Sequence, residues 1–227
     1  MKNSAVNAFI FDMDGTMVGS MPTHTRAWVA FAQQHGIDVE ASDLMRRITG
    51  LNGAQCMREL FGRDMDDDEA WALNQHKEQL YRELFAPVFA EVAGFKRFAA
   101  LAHAKGLKLG VGSAGDRHNI AFALQHLNLA HPLHAVVGGD QGLPGKPDPA
   151  IFLEASRAMD TRASSTIVFE DAPFGIEAAR RAGMRAVAVC SSHSALELAG
   201  PHVLASVRDY NELLTTNFLE TLHVATT

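Results

Sequence analysis

Five short apolar runs, rich in β-branched or aromatic residues, recur far apart along this chain: Ala8 to Phe11, Leu107 to Val111, Ala135 to Val137, Thr166 to Phe169 and Arg185 to Val189. Ahead of each later run lies a segment of helical periodicity: Phe95 to Ala104, Arg117 to Leu127, Ala150 to Met159 and Gly175 to Ala182. Strand–helix alternation of this kind leaves few architectures open. It predicts an α/β fold, a parallel sheet core with helices on both faces.

The first interval breaks the pattern. It is far too long for one crossover helix and holds helical stretches, Thr23 to His35, Ala54 to Phe61 and Asp68 to Phe85, with no convincing strand. The expectation is an inserted α-helical cap domain over residues 20–90, set into a core of residues 1–19 and 91–227. Its base would lie over the end of the first strand, where a lid can exclude water from a site. Trp28 and Trp71 read as core residues of the insertion.

Composition removes several function classes. The chain has 227 residues, 47% hydrophobic and 20% charged, as ordinary globular domains do. A formal net charge of -6 carries no electrostatic footprint for nucleic acid. The two cysteines, Cys56 and Cys190, have no motif spacing and point to a reducing compartment. The first residues are too short and polar for a signal peptide, and no apolar stretch would span a bilayer. The expectation is a soluble cytoplasmic protein, a monomer or weak dimer, with neither nucleic acid nor membrane as partner.

The chemistry-bearing residues sit at strand ends. Phe9-Ile10-Phe11 runs directly into Asp12-Met13-Asp14-Gly15-Thr16. The C-terminal edge of an open α/β sheet is where ligands bind. Two acids there repel unless a cation or proton intervenes, and a hard, oxygen-seeking cation such as Mg²⁺ suits them. The competing reading is a plain Asp-Gly turn. Gly110-Val111-Gly112-Ser113-Ala114-Gly115 follows the second run and opens a helix, so the Ser113 hydroxyl and the backbone N–H groups there, Ala114 included, form a candidate phosphate cradle. Ser113 reads equally as a helix cap. Lys146 precedes Pro147 and Pro149, which stiffen its approach; the alternative is a surface lysine. Glu170 and Asp171 end the fourth run and could complete a Mg²⁺ site with Asp12, or merely cap the next helix. His24, early in the insertion, reads as a site residue or a packed histidine.

The Gly110-x-Gly112-x-x-Gly115 spacing also spells a dinucleotide fingerprint. Gly110 falls inside the strand, however, and that reading leaves Asp12, Asp14, Lys146, Glu170 and Asp171 without a role. A lone fingerprint is weak.

Taken in order, Asp12-x-Asp14-Gly15-Thr16, Ser113, Lys146-Pro147 and Glu170-Asp171 resemble the motif set of the haloacid dehalogenase superfamily of phosphotransferases. The helical insertion resembles the cap of its subgroup of sugar phosphatases and β-phosphoglucomutases, and Thr23-His24-Thr25-Arg26-Ala27-Trp28 resembles the start of the mutase cap. The resemblance implies a Rossmann-like core and an aspartyl-phosphate mechanism. By it, Asp12 is the nucleophile and Asp14 the acid that protonates the leaving oxygen and then activates water. Thr16, Ser113 and Lys146 hold the phosphate. Asp12, the backbone carbonyl of Asp14, Asp171 and Glu170 are the Mg²⁺ ligands.

Mutases of this kind carry a lysine and an arginine around the segment that here reads Ile48-Thr49-Gly50-Leu51-Asn52-Gly53, where Thr49 and Gly53 take those places. Lys77 matches a further cap lysine and is, with His24, a candidate substrate contact. A cap poor in cations suits a hydrolase acting on a monophosphate, so the resemblance implies a Mg²⁺-dependent phosphatase for a small phosphorylated metabolite such as a sugar phosphate. A β-phosphoglucomutase-type mutase is the alternative, and a dinucleotide-binding protein the third reading.

Overall fold

The structure is a computed structural model and describes residues 5–48 and 53–224. Six parallel strands form one sheet in the order β3-β2-β1-β4-β5-β6. They are β1 (Ala8–Phe11), β2 (Lys108–Gly112), β3 (Ala135–Val137), β4 (Thr166–Glu170), β5 (Arg185–Val189) and β6 (Val203–Val207). The helices in chain order are α1 (Met21–Gln34), α2 (Ala41–Ile48), α3 (Gly53–Phe61), α4 (Asp67–Phe85), α5 (Phe95–Ala104), α6 (Arg117–Leu127), α7 (Ala150–Ala158), α8 (Pro173–Arg181), α9 (Tyr210–Thr215) and α10 (Phe218–Thr221).

Alternation along β1 assigns the two faces, because successive side chains of a strand point opposite ways. Ala8 and Ile10 join Phe152 and Ala155 of α7 and Ile176 and Ala179 of α8 in one buried cluster. Phe9 and Phe11 enter the other face, an aromatic cluster with Phe95 and Phe98 of α5, Phe169 of β4 and Tyr210 of α9. Phe9 and Phe98 stack at 5.9 Å, and Phe11 meets Phe95 edge-on at 5.2 Å. Each fully buried phenylalanine contributes about 1.5–3 kcal/mol, so this cluster sets the depth and direction of β1 beneath its terminal aspartate.

By packing, the chain divides into two compact units, Met1–Gly19 with Ala90–Thr227, and Ser20–Phe89. The second holds α1 to α4 around Trp28, Phe31, Leu44, Met57 and Leu60. Its long helix α4 starts at an Asp66 cap, whose side chain accepts the Glu69 N–H at 2.7 Å. The buried stripe of α4 is Ala70, Asn74, Lys77, Tyr81 and Phe85. Trp71 lies one residue off that stripe and is 50% exposed, which corrects its reading as a core residue. The amphipathic α2 and the edge strand β6 are absent from the sequence-based expectation. Only Leu44 and Ile48 of α2 are buried, and β6 alternates half-buried and exposed positions rather than forming an apolar run.

Candidate active site

Register at the sheet edge explains which side chains meet. Phe11 of β1 pairs with Val111 of β2 and with Phe169 of β4. One residue further on, Asp12 therefore lies beside Gly112 on one flank and Glu170 on the other. Asp12 is anchored through its N–H to the Phe169 carbonyl at 3.0 Å. Beyond it the chain folds back tightly: the Met17 N–H reaches Met13 O at 2.8 Å and the Gly15 N–H reaches Val18 O at 2.8 Å. Gly15 has φ 77°, a left-handed conformation that strains any side-chain-bearing residue, and a Cβ there would overlap the Asp171 carboxylate.

Asp12, Glu170 and Asp171 are all buried, and one carboxylate oxygen from each lies within 4.8 Å of the others. Lys146 closes the cluster, its Nζ donating to Asp12 Oδ1 at 2.5 Å and to Glu170 Oε1 at 2.7 Å. The ammonium also lies 4.8 Å from the centre of the Phe152 ring, so α7 fixes it from a third side. Glu170 is further tied by the Ala172 N–H, which donates to Oε2 at 2.6 Å. Lys146 thus bridges Asp12 to Glu170.

Three acids and one ammonium leave excess negative charge in a dry place. Burial pushes the Asp12 carboxyl well above the usual range, and the Glu170 and Asp171 charges add to this while Lys146 opposes it. Burial and then the Glu170 charge push Asp171 up to about 7, with a Ser192 hydrogen bond working against them. The donors are all hard oxygens in a tight buried group, which fits a cation such as Mg²⁺. Asp14 is half-buried and its side chain is not among the three converging carboxylates.

Thr16 is fully buried and its hydroxyl donates to Asp171 Oδ1 at 3.5 Å. Ser113 is buried just past β2, and its Oγ accepts the Gly115 N–H at 3.0 Å. It is not the cap of α6, because Asp116 takes that place and accepts the His118 and Asn119 N–H groups. Ala114 packs its carbonyl against Gly139, where a Cβ would collide. Gly110 and Gly112 both lie within β2, so the first glycines of the dinucleotide-like spacing are strand residues rather than turn residues.

The model of the haloacid dehalogenase-like hydrolase family matches residues 9–189, a span that runs from within β1 to the end of β5. The chain is a haloacid dehalogenase-like hydrolase. It is 34% identical over 187 residues to the fructose-1-phosphate phosphatase YqaB of Escherichia coli, covering 79% of this chain and 94% of that one. It is 30% identical over 191 residues to the β-phosphoglucomutase of Bacillus subtilis, covering 81% and 83%. Its structure is similar to that of a family IA, variant 3 haloacid dehalogenase hydrolase from Entamoeba histolytica, with a TM-score of 0.83, 25% identity and coverage of 95% and 98%.

The remaining candidates of this hydrolase lie in the helical unit. Lys77 is buried at 2% exposure, ion-paired with Glu78, its Nζ 4.6 Å from the centre of the Trp28 ring. The His24 ring stacks on Tyr81 at 3.7 Å between centres. Thr49 lies outside the described residues. Gly53 opens α3, and a Cβ there would press on Asn74 of α4 at 2.7 Å, so packing gives this glycine a reason of its own.

Three residues after β5 were missed from sequence. The Ser191 hydroxyl donates to the Gly15 carbonyl, Ser192 hydrogen-bonds the Asp171 carboxylate, and His193 Nδ1 donates to the Asp171 carbonyl at 2.9 Å. Ser-Ser-His has no spacing that marks it as functional. Its one sequence signal is position, directly past a strand of the same parallel sheet. No helix among the described residues is long and apolar enough to cross a membrane.

Proposed function

We propose that this hydrolase is a Mg²⁺-dependent phosphatase that releases phosphate from a small phosphorylated metabolite, a sugar phosphate being the class that fits best. The observation that carries the reading is the Asp12–Lys146–Glu170 bridge at the end of β1, with Asp171 in the same buried oxygen cluster. A carboxylate attacks phosphorus poorly unless the phosphoryl charge is neutralised. When bound among Asp12, Asp171, Glu170 and the Asp14 carbonyl, Mg²⁺ supplies that neutralisation.

Asp12 attacks phosphorus, forming an aspartyl-phosphate as the bond to the leaving oxygen breaks. Asp14 gives that oxygen its proton. In the second step Asp14 takes a proton from water, which attacks the phosphoryl group, and inorganic phosphate leaves with Asp12 restored. Division of labour between two near neighbours is supported by their surroundings: Asp12 is enclosed by Lys146 and two acids, and Asp14 stands outside that cluster. Lys146 holds Asp12 in line and meets the incoming phosphate with positive charge. Thr16, Ser113 and the Ala114 N–H complete its grip, and the helical unit Ser20–Phe89 acts as the cap, with His24 and Lys77 as substrate contacts.

The named activity of the Escherichia coli relative supports a sugar phosphate substrate. The Bacillus subtilis relative favours a mutase instead; Gly53, which packs on Asn74 and offers no cation, favours hydrolysis. Phosphate release should be measured over a panel of sugar and organic monophosphates with Mg²⁺. Asp12→Asn should abolish release while the protein stays folded. Release surviving in Asp12→Asn would remove the mechanism. Interconversion of glucose 1- and 6-phosphates activated by a bisphosphate, with little free phosphate, would assign the mutase.

A further inference from the structure

The loop that follows β5 touches both chain segments that carry the acidic cluster. Cys190 leaves the sheet with its N–H bonded to Val207 O at 2.7 Å, and Leu198 re-enters the core fully buried. The loop between is therefore pinned at both ends. From it, Ser191 Oγ donates to the Gly15 carbonyl, next in chain to Asp14. Ser192 hydrogen-bonds the Asp171 carboxylate, and His193 Nδ1–H donates to the Asp171 main-chain carbonyl at 2.9 Å. The last bond fixes the His193 tautomer, since a carbonyl can only accept. A Cβ placed on Gly15 would fall 3.0 Å from Ser192 Oγ and overlap Asp171, so the three segments meet at one point.

We infer that Ser191, Ser192 and His193 are positioning residues that preset the metal cradle, holding the β1 loop and the β4 end at the separation a divalent cation requires. The inference rests on the reading that Asp12 and Asp171 hold Mg²⁺. The physical reason is orientation. A carboxylate on a short side chain can turn about its own bonds, and a hydrogen bond to the oxygen not facing the ion removes that freedom before the ion arrives. Partners of this kind commonly govern metal affinity by about 10–100-fold. Ser192 supplies the bond to the carboxylate, His193 fixes the main chain beneath it, and Ser191 ties the opposite loop to the same platform. Both serines are exposed, so their removal should spare the fold.

The test is Mg²⁺ binding to the full chain without substrate, by isothermal titration calorimetry, for wild type, Ser192→Ala, Ser192→Thr and His193→Phe. Ser192→Ala should weaken Mg²⁺ binding by about 10-fold, with unchanged circular dichroism and with turnover of an aryl phosphate recovered by added Mg²⁺. Ser192→Thr, which keeps the hydroxyl, should bind as wild type does, and His193→Phe should weaken binding as Ser192→Ala does. Leu196→Ser, in the same loop and 86% exposed, should change nothing. Wild-type affinity in both Ser192→Ala and His193→Phe overturns the positioning role. So does a loss in Ser192→Ala that Ser192→Thr shares. Failure of the wild type itself to bind Mg²⁺ would instead remove the underlying metal reading, so the two failures are distinct.

Discussion

Without metal, the stability of this protein should fall as pH rises from about 4 to about 7, and Mg²⁺ should reverse the trend. Asp171 sets the size of the effect. Burial, then the neighbouring Glu170 charge, push its carboxyl up to about 7, whereas an unfolded aspartate titrates near about 4. Across that interval the folded chain keeps a proton that the unfolded chain has released, so the slope of stability against pH is negative. Its contribution is whole below the unfolded value and lost once pH passes the folded one. Holding a carboxyl at about 7 rather than about 4 corresponds to about 4 kcal/mol. In a protein of this size about 1 kcal/mol moves Tm by about 2–4 °C, which sets a fall on the order of 10 °C. Asp12, raised by burial, acts in the same direction. The assay is thermal melting followed by circular dichroism, in EDTA and in Mg²⁺, for wild type and Asp171→Asn. The amide cannot ionise, so the difference between the two proteins isolates this group from the histidines. In EDTA at about pH 8 the variant should melt above wild type, and the advantage should vanish toward about pH 4. Mg²⁺ should raise the wild-type Tm far more at the higher pH. A wild-type-to-variant difference that ignores pH, or a Mg²⁺ increment equal at both ends, would refute the electrostatic account.

Two further outcomes follow from the same site. Lys146→Met removes the ammonium that bridges Asp12 and Glu170, and breaking a buried pair from one side costs about 3–5 kcal/mol; denaturant titration should show that loss at neutral pH and its partial recovery with Mg²⁺. Asp14→Asn should depress hydrolysis of an alkyl phosphate by about 10²–10⁴-fold, the usual worth of a general acid, and formation of the phospho-enzyme from an aryl phosphate much less. Equal losses in single-turnover kinetics on the two substrates would take the acid role from Asp14.

Much of the core was legible because burial on both faces of a parallel sheet writes itself as contiguous apolar runs. Ala135–Val137, Arg185–Val189, Phe95–Ala104 and Arg117–Leu127 stand where periodicity placed them. What escaped was structure whose apolar content is thin. β6 lies at the sheet edge and alternates, with only Val207 buried, and α9 contributes chiefly Tyr210 and Leu213 to the core. Trp71 shows the reverse error: a large apolar side chain draws attention, but on α4 the buried stripe runs through Ala70, Asn74 and Lys77, and two of those three are polar.

The same physics separates what could be read of the site from what could not. Asp12, Glu170 and Asp171 stand out because ionisable groups directly after buried runs are costly without a partner, and parallel register then carries β1 and β4 to the same edge. Lys146 is legible only together with them, since a lone lysine in a proline-rich loop has nothing to distinguish it until two carboxylates lie against it. Ser191, Ser192 and His193 have ordinary loop composition, and their bonds run to Gly15 and Asp171 across more than twenty residues of sequence. Gly15 records that contact indirectly. Its φ of 77° already favours glycine, but the Asp171 carboxylate and the Ser192 hydroxyl also occupy the space a Cβ would need. In a single sequence the Asp-x-Asp-Gly motif therefore looks like a turn, and the closeness of the three strand ends adds a second demand for that glycine.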